Sequence, residues 1–321
     1  MKASCLIAPG HYETIDVTKP EPQNGQVLVH MQLAAICGSD LHIFHGRPRL
    51  EQYPSIPGFS GHEAVGIVER STEGNWRPGD PVLVIPPQIN AFAEYTVVPP
   101  SQLIPLPDDA TMDQWVLAQQ LGTVLFSCRQ IGNLVDKVVA VLGQGPAGLM
   151  FTALARRMGA RFIIGIDIVP HRLKAAQLMG ANAIVNAEKV DPGAAVAELT
   201  GGKLADVAIE AVGDPKTING LSKLIHVGGR MVFYGIPPSG PIDIDFERFF
   251  RCYANTITTA GAPDEPGFHS FRLAIDMIER GTINVKPLIS HILPLDDIQK
   301  AFTLADSKDD GAVKVLIDLT T

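Results

Sequence analysis

The run VAVLGQGPAGLM, residues 139–150, constrains the fold of this chain more than any other stretch. Gly143, Gly145 and Gly148 stand in the spacing G-x-G-x-x-G. A continuous apolar segment, KVVAVLG (137–143), leads in, and the helical segment PAGLMFTALARRMGA (146–160) leads out. Pro146 suits a first helical turn, where its missing N–H would have no partner in any case. Pro146 and Ala147 fill the turn between the second and third glycines. The glycines permit a tight turn and a close approach of backbone to a pyrophosphate, whose charge meets the orphan N–H groups of the helix. The next apolar strand, RFIIGID (161–167), ends in Asp167, near the fingerprint's usual separation of about 20 residues. A carboxylate there can accept hydrogen bonds from the adenosine ribose and repels a 2′-phosphate. The residues therefore point to NAD rather than NADP.

The alternation continues through the helix PHRLKAAQLMGA (170–181) and the strands AIVN (183–186), LADVAIEAVG (204–213) and GGRMVFYGI (228–236). Continuous apolar strands alternating with helices predict a parallel sheet covered on both faces, an α/β doubly wound domain. The preceding third differs. QVLVHMQLAAI (26–36), AVGIVERS (64–71), DPVLVI (80–85) and AEYTVVP (93–99) are short β-branched runs between Pro and Gly clusters. They predict a mostly antiparallel β domain. The change comes at DQWVLAQQLGTVLFSCRQI (113–131), which has helical spacing. Residues 291–319 revert to strand, short helix and strand, and are expected to rejoin the first domain. The expected division is 1–112, 113–286 and 287–321.

Charge and cysteine usage narrow the partners. The net charge is -8, with no basic run, which argues against nucleic acid and anionic membrane surfaces. Neither a signal-peptide pattern nor an apolar stretch of transmembrane length is evident. Cys5, Cys37, Cys128 and Cys252 lie far apart, as in a cytoplasmic protein with reduced thiols.

A second dense stretch is ICGSDLHIFHG (36–46), which holds Cys37, Ser39, Asp40, His42 and His45. GFSGHEAVG (58–66) supplies His62 and Glu63, 25 and 26 positions after Cys37. A thiolate, an imidazole and a carboxylate make a sensible zinc set, with room for the open position a catalytic zinc needs.

Taken together, CGSDLHIFHG, GHEAVG and GQGPAG resemble the medium-chain dehydrogenase/reductase superfamily, and specifically its zinc-dependent alcohol dehydrogenases. CGSDLH and LAQQLGTVLFSCRQ look closest to the polyol and threonine dehydrogenase branch. The resemblance covers essentially the whole chain and implies a GroES-like catalytic domain beside the Rossmann domain. It implies that Cys37 and His62 bind zinc and that Glu63 is a third or an exchanging ligand. Asp40 would orient the metal-bound histidine. Ser39 would take the proton of the substrate hydroxyl, and His42 would pass it to solvent through the nicotinamide ribose. Arg172 would approach the adenosine ribose. Thr123, Val212, Gly213 and Ile236 would lie near the nicotinamide, and Lys314 would reach the pyrophosphate.

The chain departs from that family pattern twice. DPVLVIPPQINAFAEYTVVPP passes from strand to strand without the four-cysteine lobe that holds a structural zinc, so one catalytic zinc is expected. Gln119, in LAQQLG, stands where the polyol branch usually has an acid. An amide coordinates through oxygen but carries no charge. Arg47 and Arg49 border the expected substrate cleft and are either anion contacts or solvated loop charges. Phe92 and Trp115 read as packing residues, with Phe92 also a candidate pocket wall. The leading expectation is an NAD-linked, zinc-dependent interconversion of a secondary alcohol, such as a polyol or sugar derivative, and its ketone. A zinc-free quinone or enoyl reductase and a non-enzymatic dinucleotide-binding protein are the alternatives. A homodimer or homotetramer is expected, with 251–263 as a candidate pairing strand.

Overall fold

The computed structural model describes residues 1–48, 50, 52–72, 74–108 and 112–321. These residues fall into two compact units, 1–122 with 263–321, and 123–262. Both boundaries differ from the expected 112/113 and 286/287. Val116, Leu117, Ala118 and Leu121 are fully buried, and a Cβ on Gly122 would collide with Phe271 of the same unit. This close packing keeps the first turns of the 113–131 helix, together with 263–286, in the first unit.

The strands of the first unit are β1 (Lys2–Ala8), β2 (His11–Asp16), β3 (Val27–Ala35), β4 (Glu63–Ser71), β5 (Pro81–Val84), β6 (Tyr95–Val98) and β7 (Leu103–Pro105). Its early helices are α1 (Gly38–Phe44), α2 (Met112–Trp115) and α3 (Leu117–Ile131), the last continuing into the second unit. The expected single helix over 113–131 is therefore broken at Val116. The second unit carries β8 (Val138–Leu142), α4 (Pro146–Arg157), β9 (Phe162–Asp167), α5 (Pro170–Leu178), β10 (Ala183–Asn186) and α6 (Pro192–Leu199). It continues with β11 (Ala205–Glu210), α7 (Pro215–Gly220), β12 (Ile225–Phe233), α8 (Phe246–Arg251) and β13 (Asn255–Thr258). The chain then returns to the first unit with α9 (His269–Glu279), β14 (Ile289–Pro294), α10 (Ile298–Ser307) and β15 (Lys314–Asp318).

In the second unit the described strands lie in the order β10-β9-β8-β11-β12-β13, and every pair is parallel. This is the doubly wound order 3-2-1-4-5-6, whose crevice opens between β8 and β11. Val138 to Leu142 are all buried, as expected of a central strand covered on both faces.

The first unit holds the sheet β14-β15-β3-β4-β5-β7, with β6 also paired to β3. Apart from the parallel pair β14-β15, its pairings are antiparallel. β3 lies between β15 and β4: Ala35 pairs with Leu316 on one side and with Glu63 on the other. The chain leaves the sheet there and enters α1 at Cys37. Tyr12, Phe44, Phe92 and Phe302 form an aromatic core that fixes α1, with ring centroids of neighbours 4.4–6.0 Å apart. Phe92 is thus a buried packing residue rather than a pocket wall, and Trp115 is buried as well.

Candidate active site

Cys37 caps the N-terminus of α1, and Asp40 is the third residue of that helix. Asp40 is completely buried, and its oxygens gather the neighbouring site residues. Oδ2 accepts the Cys37 N–H at 2.7 Å, which is the reciprocal half of a capping box. Oδ1 accepts the Ser60 hydroxyl at 2.9 Å and lies 3.2 Å from His62 Nδ1. One carboxylate therefore fixes both the backbone of Cys37 and the ring of His62. With Nδ1 engaged, Nε2 is the free nitrogen, and Ser39 Oγ lies 3.5 Å from it.

Ligand atoms of Cys37, His62 and Glu63 all lie within 4.8 Å of one another. A half-buried thiol, an imidazole oriented by a carboxylate and an adjacent buried glutamate fit a zinc ion in chemistry and spacing. Burial disfavours a charged His62. The Asp40 charge and hydrogen bond, with Cys37, outweigh that and raise its pKa well above the usual histidine range. Both carboxylate oxygens of Glu63 are buried without a hydrogen-bond partner. Gln119 is buried near the start of α3.

His42 sits on α1 one turn beyond Ser39. Burial, then the nearby Arg47 and His45 charges, lower its pKa and hold it neutral near pH 7. His45 lies outside this cluster and bridges to Asp306 on α10 at 3.0 Å. Arg47 is exposed, and Arg49 lies outside the described residues.

In the second unit, Gly143 adopts φ +92, a conformation that favours glycine. A Cβ on it would lie 2.5 Å from Val212, so the loops after β8 and β11 touch at the crevice. Gly148 packs directly under the Gly143 carbonyl. Gly145, by contrast, has open space before it. It caps α4, with Pro146 next, and the nearest atom to its would-be Cβ is the Arg172 guanidinium at 3.6 Å. Burial lowers the Arg172 pKa against the pull of Asp167, and its Nε has no hydrogen-bond partner. Arg172 thus sits beside the glycine turn as well as beside Asp167. Asp167 accepts N–H groups of Gln144 (2.5 Å), Ile168 (2.7 Å) and Val169 (2.8 Å), tying the end of β9 to the glycine turn. Thr123 Oγ1 lies 2.7 Å from the Tyr234 hydroxyl, while Val212 and Ile236 are exposed.

Lys314 is a correction. It was expected at the pyrophosphate, but it is the fully buried first residue of β15, with Nζ 2.6 Å from Glu63 Oε2. A side chain with no exposed surface, held by a buried carboxylate, presents no charge to a phosphate.

Three structural contributors were missed from sequence. Ser60 steers Asp40. Gln144 is buried, bonding the Val141 carbonyl at 2.9 Å and accepting Thr152 at 3.0 Å, which pins the turn to α4. Glu210 ends β11 and binds Val212 N–H, Gly213 N–H and the Thr217 hydroxyl through one oxygen, at 2.9, 2.9 and 2.7 Å. A charge directly after the apolar run Val207 to Ile209, at the end of β11, was the available signal for Glu210.

Comparison with known proteins agrees with this geometry. Residues 23–108 match the alcohol dehydrogenase GroES-like domain, and residues 146–280 match the zinc-binding dehydrogenase family. An alcohol dehydrogenase of Cupriavidus necator is 31% identical over 367 residues, covering 99% of this chain and 98% of that protein. An L-threonine 3-dehydrogenase of Chromobacterium violaceum is 29% identical over 344 residues, covering 98% of each. Among solved structures, alcohol dehydrogenase TADH from Thermus sp. ATN1 superposes with a TM-score of 0.82 at 28% identity, covering 99% of each chain. The buried Asp40 with its Cys37–His62–Glu63 cluster, the glycine turn and these matches lead to one assignment: the chain belongs to the zinc-dependent alcohol dehydrogenase family of the medium-chain dehydrogenase/reductase superfamily.

Proposed function

We propose that this chain is an NAD-linked dehydrogenase with one catalytic zinc, interconverting a secondary alcohol of the polyol or sugar class and its ketone. The observation that carries the reading is Asp40. A completely buried carboxylate that holds Cys37 and His62 in place beside Glu63 is the support a catalytic metal requires. Cys37, His62 and either Glu63 or Gln119 would hold the ion. When bound, zinc acidifies an alcohol or polarises a ketone, and the nicotinamide accepts or returns the hydride.

The chain's own groups handle the proton. In the oxidative direction the hydroxyl proton would pass to Ser39 Oγ, which lies 3.5 Å from His62 Nε2. His42, held neutral by burial, can accept it and release it to solvent. Asp167 favours NAD, since its carboxylate opposes a 2′-phosphate. Residues 85–94 join β5 to β6 without a cysteine, which supports a single zinc.

A cytoplasmic homo-oligomer, dimer or tetramer, completes the proposal. Among the described residues no helix is long and apolar enough to cross a membrane, and the four cysteines are free. β13 is the last described strand of its sheet, and Phe246, Phe250 and Tyr253 nearby are each more than 60% exposed. These features suit pairing with a second copy.

Metal analysis of protein purified without chelator, followed by an NAD(H)-coupled screen of alcohols, polyols, sugar acids and phosphorylated sugars with and without added zinc, tests the reading. An active enzyme that holds no transition metal and ignores chelators would refute it.

A further inference from the structure

The Lys314–Glu63 pair has no part in the reading above. β3 leaves its sheet between the first residues of two neighbouring strands, Lys314 of β15 and Glu63 of β4. Both residues show no exposed surface, and Nζ approaches Oε2 to 2.6 Å. Neither the ammonium nor either carboxylate oxygen makes a hydrogen bond of good geometry. The same carboxylate lies within 4.8 Å of the Cys37 and His62 ligand atoms.

Packing alone does not account for such a pair. Two buried charges lose their hydration, and apolar residues of similar size usually serve a core as well or better. A buried ammonium with unspent donors does one thing well here: it binds the carboxylate that would otherwise be free for the metal. One anion stands between two cationic partners.

We propose that Lys314 is a positioning residue that competes with the metal for Glu63. While Lys314 holds Glu63, Cys37 and His62 would bind the ion without that carboxylate, which would leave the ion more positive; Glu63 released from Lys314 would be free to join them and strengthen metal retention. The proposal rests on the reading that Cys37 and His62 bind the metal. It goes beyond that reading by assigning a residue on a distant strand to control the third ligand.

The test uses the full-length protein freed of metal and loaded with Co²⁺, a spectroscopic substitute for zinc. Affinity is read by competition with a chromophoric chelator, and the ligand set by the d–d bands. Lys314→Met is expected to bind Co²⁺ about tenfold tighter than wild type and to change the d–d bands, because Glu63 is then free to coordinate. Lys314→Arg retains wild-type affinity and spectrum. In a Glu63→Gln background, Lys314→Met changes neither. Glu63→Gln alone leaves the wild-type spectrum intact, and this variant decides the matter if Lys314→Met does not fold.

Unchanged or weaker binding in Lys314→Met, an equal effect of Lys314→Met in the Glu63→Gln background, or an altered spectrum in Glu63→Gln overturns the proposal. Cys37→Ala separates this outcome from failure of the underlying reading. That variant loses the thiolate-to-cobalt charge-transfer band if Cys37 is a ligand. If it keeps both band and affinity, the metal site itself is wrong and the proposal falls with it.

Discussion

Two glycines three positions apart in the turn after β8 predict opposite behaviour when each becomes alanine. A Cβ on Gly148 would lie 2.8 Å from the carbonyl carbon of Gly143 and still closer to its oxygen, where real Cβ contacts stay beyond 3.0 Å. Both obstructing atoms are backbone, so α4 must retreat by about an ångström from β8 and the turn. Leu149, Met150, Phe151 and Thr152 are fully buried on that helix and move with it. Overpacking of this kind costs about 3 kcal/mol, at the upper end of its usual range. For a unit of 140 residues that corresponds to roughly 10 °C in Tm. Gly145→Ala meets nothing closer than 3.6 Å, and at φ -67, ψ -175 its backbone suits any residue. Its Tm should stay within about 2 °C of wild type. Its methyl group, however, occupies the space at the N-terminus of α4 where a pyrophosphate must come close. NADH affinity should fall at least about tenfold, or ~1.4 kcal/mol. Thermal denaturation without cofactor and fluorescence titration with NADH measure the two effects separately. If Gly145→Ala lowers Tm as much as Gly148→Ala, or binds NADH like wild type, the turn is not the phosphate cradle described here.

Asp40→Asn should weaken zinc binding roughly 10- to 100-fold, measured as metal retained after dialysis against a graded chelator, because it loosens Cys37 and His62 together. Asp40 raises the His62 pKa, and a Cys37 thiol must ionise to bind a metal, so zinc uptake should release protons and affinity should rise with pH; weakly buffered titration with an indicator dye reads the release, and zinc binding without any would contradict the arrangement. Burial raises the Glu210 pKa above its ordinary value near 4.5, so the wild type loses stability as pH climbs from there through the folded-state pKa. Glu210→Gln escapes that loss. Its Tm advantage over wild type should therefore grow with pH across that window, and a pH-independent difference would count against the assignment.

The elements most legible in the sequence were those whose cause is local. Gly143 to Asp167 form a strand, turn, helix and strand in unbroken order, and the structure places each as the spacing predicts. Cys37, Asp40 and His42 lie within six consecutive residues, so their proximity was also readable, although the short helix that Cys37 caps was not. Lys314 was not. Its partner lies 251 positions away, and only the register of β15 and β4 on either side of β3 brings the two together. The unit boundaries were misplaced for a similar reason, because the packing of Gly122 beneath Phe271 spans 149 positions and leaves no periodic trace. Ser60 was invisible because a serine near a histidine gives no sign of which acceptor its hydroxyl will find.

The order of the strands around β3 also fixes an order in time. A ribosome delivers Cys37, His62 and Glu63 early, then the entire dinucleotide unit, and Lys314 only after it. Until β15 emerges, the end of β3 from Leu33 to Ala35 has an unpaired edge, although β6 already covers Val27 to His30, and Glu63 is an anion with no lysine. The growing chain therefore carries the whole second unit while the Cys37–His62–Glu63 cluster still lacks Lys314. In that interval any free divalent ion meets a thiol, an imidazole and an uncommitted carboxylate. The arrival of a single strand ends the interval by pairing the exposed edge and supplying the competing cation together.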